Sequence, residues 1–444
     1  MNSQAWTGTK TSVLASTVRA AHRASTGRLA TASSVGTTLE WYDFTVYNTL
    51  AALIFNRLFF PSFDPMSGTI FAFSTYAVGY LSRPLGGVVF GHLGDKRGRR
   101  FVLVLTLVLM GLCTGLMGLL PTYASIGIYS PILLVTLRFV QGVALGGEWA
   151  GAVLISVEHG DQARRGRNAS FTQVGPSFGT LLATGVIALM TFLVSPEDFL
   201  AWAWRIPLLA SIVLVAFGLW IRRGVEETPM FKRLDERGAT ARTPIGDVVR
   251  QYWPRLLIAG GVRVGSDVLY ALIVVFSLTY VTTVLNLSRT LALSAIMAGA
   301  IVNALIIPFF GVLSDRVGRR AVYGAGAVMG MLWAFGFFML ADTGKPLLVI
   351  LAVVIGLVCH AAMYGPQAAF VTEQFPTRVR YAGSSLAYTL AGIVGGGFAP
   401  LIFASLFRAY HTTTVISLYV VGALCVTCAA LLAARETGKS ALEE

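Results

Sequence analysis

Gly91-His-Leu-Gly-Asp95-Lys-Arg-Gly98-Arg99-Arg100 and Gly311-Val-Leu-Ser-Asp315-Arg-Val-Gly318-Arg319-Arg320 share the pattern G-x-L-x-D-x-x-G-R-R, 220 residues apart. Each copy follows one long apolar run and leads into another. Recurrence at matching places means that the chain is two copies of one unit, each with six apolar runs. The surrounding chain has 444 residues, 55% hydrophobic and 12% charged, with a mean hydropathy of +0.71. A soluble domain carries about 25% charged residues, and no stretch between the runs is long enough to bury a core of its own. A soluble enzyme, a nucleic-acid-binding protein and a secreted disulfide scaffold are thereby excluded. The composition reads as an all-α polytopic membrane protein.

Twelve spans are expected near 35–58, 69–92, 101–120, 131–157, 169–194, 203–221, 256–285, 290–313, 321–341, 346–371, 383–407 and 413–434, with tilt or kinks at Pro84, Pro176, Pro207, Pro308 and Pro400. The organisation that follows is a tail over 1–32, a six-helix bundle over 33–221, a basic linker over 222–254, a second bundle over 255–434 and a tail over 435–444. The first residues are polar and lack the short apolar core of a cleaved signal peptide. The net charge of +13 is topological. Lys96, Arg97, Arg164, Arg165, Arg167, Arg316, Arg378 and the arginines of the linker all fall on one side, whereas the other loops hold only Arg57, Arg289, Lys345 and Arg408. The positive-inside rule then puts both termini in the cytoplasm of a cell whose inner (plasma) membrane the chain spans. Cys113, Cys359, Cys425 and Cys428 all lie in apolar runs and read as packing residues; no metal site or cofactor is expected.

The duplicated loop resembles the hallmark of the major facilitator superfamily. Arg138-Phe-Val-Gln141-Gly142, continuing to Gly146-Gly147-Glu148-Trp149, is a second pattern of that superfamily. Glu40-Trp41-Tyr42-Asp43-Phe44, Ser82-Arg83-Pro84, Trp204-Arg205-Ile206-Pro207, Glu226-Glu227-Thr228-Pro229 and Glu373-Gln374-Phe375-Pro376-Thr377-Arg378 are similar to its metabolite:proton symporters, which include shikimate, ketoglutarate, citrate and proline/betaine permeases. The resemblance covers residues 34–436. It implies two packed six-helix bundles and alternating access, with substrate near the bilayer midplane, and gating by the repeated loop through Gly91, Asp95, Arg99, Gly311, Asp315 and Arg319. Either aspartate can pair with an arginine or cap a helix N-terminus; a static turn is the bland alternative.

An ionised side chain at mid-bilayer costs at least ~2.5 kcal/mol, so isolated charges there need a partner or a wet cavity. Asp43, Arg83 and Glu148 fall about 12–14 Å from the cytoplasmic ends of their spans at 1.5 Å per residue, with Glu40 about a turn shallower. Spans 1, 2 and 4 are thus expected to gather carboxylates around one guanidinium. Asp43, Glu40 or Glu148 carries the coupled proton in this reading, and Arg83 and Arg138 attract an anionic substrate; structural ion pairing is the alternative. Arg263 and Asp267 can pair along one helix face. Tyr42, Tyr47, Gln141, Asn303, His360, Tyr364 and Tyr388 are candidates to line a polar cavity. Arg205 reads as an interfacial anchor, Trp41 and Trp149 as packing at helix crossings, and Gly392 to Gly397 as a close approach or hinge.

The expected activity is proton symport of a small organic acid by a monomer. The partners are substrate, protons and the lipid bilayer, and no nucleic acid. Gly175-Pro176-Ser-Phe-Gly179 partly matches a G-P-x-x-G signature of proton-coupled drug antiporters, although Phe171 and Thr180 break the longer pattern. An exporter and a transporter-like nutrient sensor are the alternatives. Neither a paired metal-ligand spacing nor a nucleophile motif points to an enzyme.

Overall fold

A computed structural model describes residues 34–97, 99–146, 149–158, 164–222, 244–376 and 379–438. Among these residues, twelve long helical passes follow one another. They are α1 (34–59), α2 (Pro65–Leu81 continued by Arg83–Arg97), α3 (Arg99–Leu119), α4 (Tyr129–Leu145 with Trp149–Glu158), α5 (Arg165–Leu193) and α6 (Pro196–Ala203 running into Arg205–Arg222). The second set is α7 (Trp253–Val284), α8 (Arg289–Val317), α9 (Arg319–Ala341), α10 (Pro346–Glu373), α11 (Arg380–Tyr410) and α12 (Thr414–Ala433). Seven, α5 and α7 to α12, are each long and apolar enough to cross a membrane, and the two limbs of α6 qualify together across a 47° bend. Helix starts follow local chemistry. Asp64 accepts from Ser67 N at 3.1 Å with Pro65 in the first turn of α2, and Ser288 accepts from Leu291 N at 3.2 Å to open α8.

The duplication is written in the backbone as well as in the loops. A π-helical turn at Ala51–Phe55 in α1 recurs at Ala271–Phe276 in α7, at the same 220-residue offset as the loop motif. Breaks fall beside several of the expected prolines: α2 is interrupted at Ser82 just before Pro84, α6 bends at Trp204 ahead of Pro207, and α11 at Phe398 ahead of Pro400. Pro176 and Pro308 sit inside unbroken helices, as does Pro366. A short helix, Pro244–Gln251, occupies part of the stretch expected to be linker; its Val248 is buried among Trp149, Phe375 and Val379. The cysteines are free, with Cys113 and Cys359 buried.

The halves meet along α5 with α8 and α10, and along α2 with α11. Because α11 occupies in the second half the place of α5 in the first, and α8 that of α2, these seams are one contact made twice about a pseudo-two-fold axis. Within the first half, α2 and α4 cross at backbone distance. A Cβ on Gly142 would lie 2.2 Å from the Gly79 carbonyl, and one on Gly146 1.9 Å from that of Arg83. Only glycine permits this approach, and it fixes Arg83 against the end of the first limb of α4.

Candidate functional site

Between the halves lie two neighbouring cavities, each of about 20 Å³, room for about one water. One is walled by Glu40, Trp41 and Phe44 of α1, Arg83 of α2, Trp149 of α4, and Ser385, Tyr388 and Thr389 of α11. The other is walled by Trp41, Tyr76 and Tyr80 from the first half, and by Arg263, Asp267, Tyr270, Asn303, His360 and Tyr364 from the second.

Two arginines from opposite halves face these cavities, Arg83 the first and Arg263 the second. The Arg83 guanidinium lies 3.9 Å from the Tyr80 ring centre and 4.7 Å from that of Phe44. Arg263 stands 3.2 Å over the ring of Tyr388 and donates Nη1 to the Tyr388 carbonyl at 2.6 Å. Its Nε lies 3.1 Å and 2.9 Å from the two oxygens of Asp267, one turn on. Aromatic faces hold a guanidinium without neutralising it, which leaves Arg83 able to receive an anion. Tyr388 itself is stacked on Trp149 at 3.9 Å, and this pair of rings bridges α11 and α4. Around the second cavity several buried polar atoms make no hydrogen bond among the described residues: Asn303 Oδ1, His360 Nδ1 and Tyr364 OH. An unpaired buried polar group is costly, and these three converge on one cavity. Asn303 also ties the halves together, donating Nδ2 to Ser177 Oγ at 2.9 Å.

Several expected neighbours are not brought together. Asp43 does not face Arg83; it is sealed inside the first half against Thr114 of α3 and Ser211 of α6 and lines neither cavity. Three residues of helix turn through about 300°, so Glu40, and not Asp43, shares the cavity wall with Arg83. Arg138 is likewise withdrawn: Nη1 donates to Gln141 Oε1 at 2.6 Å and Nη2 to Asn48 Oδ1 at 3.1 Å, and its guanidinium lies 4.0 Å from the Tyr47 ring centre. Gln141 donates on to Thr114 at 2.7 Å, so Asp43 and Arg138 lie at the two ends of one polar chain. Tyr42 donates to the Pro207 carbonyl at 2.8 Å and Tyr47 bonds Thr75, both inside the first half. Thus Arg138, Gln141, Tyr42 and Tyr47 do not line the cavities. Trp41, expected only to pack, lines both. Glu148 lies outside the described residues, as do the side chains of Asp95 and Arg99 beside Gly91.

At the end carrying the repeated loops, the basic end, the second loop copy closes on the first half. Asp315 accepts from the backbone N–H groups of Gly166 and Arg167, both at 2.9 Å, and so caps the start of α5 from across the seam. Arg319 binds Asp315 at 2.7 Å and Glu373 at 3.4 Å, and Arg165 binds the same Glu373 at 2.8 Å. Gly311 is required here, because a Cβ would lie 2.5 Å from Ser170 Oγ and 2.9 Å from the Gly166 carbonyl. Beyond α12, Thr437 donates to Glu373 at 2.5 Å, while Glu436 accepts from the N–H groups of Arg319 and Arg320 at 2.9 and 3.0 Å. Partial burial would raise the Glu436 carboxyl, but those N–H groups together with that of Gly438 hold it below the usual range. Sequence reasoning gave Glu373, Arg165 and Glu436 no role; the available signal was an acid at the end of the α10 apolar run. At the opposite end, Thr279 donates to the Ala52 carbonyl at 3.2 Å, and Arg408 pairs with Asp64 at 3.5 Å with both half exposed. Arg205 donates to the carbonyls of Ala201 and Leu120 and stacks on Trp204, tying α6 to the end of α3.

A family model described as the Major Facilitator Superfamily matches residues 34–400 and again 267–441. The shikimate transporter of Escherichia coli (strain K12) is 41% identical over 382 residues, covering 85% of this chain and 87% of that protein. A proline/betaine transporter of the same organism is 33% identical over 375 residues, with 82% and 75% covered. The structure of the xylose transporter XylE from E. coli, in a partially occluded inward-open conformation, is similar with a TM-score of 0.73. It covers 94% of this chain and 99% of that one at 17% identity, a likeness of fold alone. The chain belongs to the major facilitator superfamily, among its metabolite transporters, and is a multi-pass membrane carrier and not an enzyme.

Proposed function

We propose that the protein takes up a small organic acid together with protons by alternating access. The observation that carries this reading is the pair of arginines presented by opposite halves to two neighbouring cavities, Arg83 to one and Arg263 to the other, with the unpaired polar atoms of Asn303, His360 and Tyr364 around the second. A carboxylate suits the guanidinium groups and hydroxyls suit the neutral polar atoms; shikimate, named for the relative at 41% identity, combines both. Binding that draws the halves together is the alternating-access step, and each co-transported charge gains about 2.3 kcal/mol per 100 mV. The proton is assigned to buried carboxylates, with Asp43 serving the first half and Glu40 facing Arg83. The basic end is assigned to the cytoplasm, with both termini there, and the protein to the inner membrane as a monomer.

The test is uptake into proteoliposomes with an alkaline interior, using labelled shikimate alongside mono-, di- and tricarboxylates and betaine. Accumulation of an acid above equilibrium, abolished by a protonophore, is the expected result. Failure of every acid to accumulate, or expulsion driven by the gradient, would overturn the reading.

A further inference from the structure

We propose that Asp267 is a proton-binding residue that the substrate itself displaces: the substrate carboxylate takes the place of Asp267 on Arg263, and Asp267 then takes up one proton. This rests on the proposed uptake of an organic anion and names the residue that makes the anion and a proton arrive together.

Arg263 is committed on two sides. Nη1 is fixed to the Tyr388 carbonyl and the guanidinium plane to the Tyr388 ring, so Asp267 is the partner on Nε that can be exchanged without moving the arginine. Asp267 and Arg263 both line the cavity that holds the unpaired atoms of His360, Tyr364 and Asn303. The pair is therefore reachable by a ligand lying there. Glu373 contrasts with it, because it is shared by two arginines and locked into the gate. The groups facing Asp267 are Arg263 and Tyr270 on its own helix, Arg83, Tyr76 and Tyr80 from α2, Tyr323 from α9, His360 and Tyr364 from α10 and Tyr388 from α11. No second carboxylate is among them, so when an anion occupies Arg263 the displaced Asp267 would be a buried negative charge beside another. Desolvation and like-charge repulsion favour its protonated form against the weaker attraction of Arg83. The balance is one anion and one proton in from the open side, and one anion and one proton out when the cavity turns, with Asp267 returning to Arg263.

A carrier in which binding takes up one proton has an affinity that weakens by about tenfold per pH unit once the free carboxylate is ionised. The experiment measures shikimate binding and exchange over a pH series in proteoliposomes of the wild type and Asp267→Asn. A trapped pH-sensitive dye counts protons moved per substrate. In Asp267→Asn the arginine is freed of its rival at every pH, so the affinity becomes flat with pH and one proton fewer moves per substrate, while exchange persists. Asp267→Glu, which keeps an acid on the same helix face, retains the pH slope and guards against a variant that fails to fold. An unchanged proton count in Asp267→Asn, a retained slope, or loss of exchange from a folded Asp267→Asn protein overturns the proposal. Failure of the underlying uptake reading is distinguished because wild-type vesicles would then accumulate no acid at all.

Discussion

A guanidinium facing a cavity on an aromatic bed is worth most to a ligand that carries a full negative charge. Replacing Arg83 by Gln removes a charge-assisted contact of about 1.5–3 kcal/mol. The KM for an acid should therefore rise about tenfold to a hundredfold, while the uptake of a zwitterion such as betaine changes far less. Equal loss for both would make Arg83 a purely structural group. Asp43 calls for the opposite pattern. It is walled off from the cavity by its own helix, so Asp43→Asn should leave the exchange KM within about twofold. Each coupled proton supports about tenfold concentration per pH unit of gradient, so gradient-driven accumulation should fall by about that factor; unchanged accumulation would free Asp43 of any proton role. The contrast shows what was legible in the residues. That Asp43, Arg83, Arg263 and Asp267 are significant follows from charge within an apolar run. Which of them meet does not, because one residue of helix is about 100° of rotation. An uncertainty of one position in the facing direction moves Asp43 from the cavity to Thr114 and Ser211.

At the scale of elements, the passes could be read because long apolar runs alternate with short charged loops, even where the helix itself is broken, as in α2, α4 and α6, and the two-fold arrangement because the loop motif repeats. The ionic closure at the basic end could be read only in part. Gly311, Asp315 and Arg319 belong to the motif, but Arg165 and Glu373 are partners 208 residues apart, and nothing local in either stretch names the other. Glu373 holds Arg165 of one half and Arg319 of the other, both almost completely buried, so it is the anion common to the seam. Removing one partner of a buried ion pair costs about 3–5 kcal/mol, because the other charge is left uncompensated. Glu373→Gln leaves two arginines facing each other and should spring the basic end open. A cysteine placed at Ser170, which lies against Gly311 on the seam, should then react with a soluble thiol reagent at least about tenfold faster than in the parent. Equal reaction rates would show that apolar packing of α5 on α8 holds this end shut without the ions.

At the scale of the whole molecule, the 220-residue offset sets the two halves side by side and shows where duplication has been abandoned. It carries Asp43 onto Arg263, Tyr47 onto Asp267 and Arg83 onto Asn303. The carboxylate of one half thus corresponds to the guanidinium of the other, and the arginine facing the cavity corresponds to an amide. Equivalent backbone, opposite charge: the halves can close on one another around a charged ligand without repeating its contacts. The same asymmetry governs the ends. The basic end is held by Asp315, Arg319, Glu373 and Arg165, all largely buried. At the opposite end the ionic contact among the described residues is Arg408 with Asp64, exposed by 53% and 54%, and an ion pair of that kind contributes about 0–1 kcal/mol. Without substrate, the opposite end should therefore open far more often than the basic end. Thr279 and Ser170 sit at the two seams, so Thr279→Cys and Ser170→Cys, each on a background freed of the native cysteines, report on the two openings. In substrate-free protein a soluble thiol reagent should modify position 279 at least about fivefold faster than position 170, the factor that about 1 kcal/mol sets. Adding Glu373→Gln should reverse the order, and faster modification at 170 in the unaltered gate would show that the buried ions do not decide which end opens.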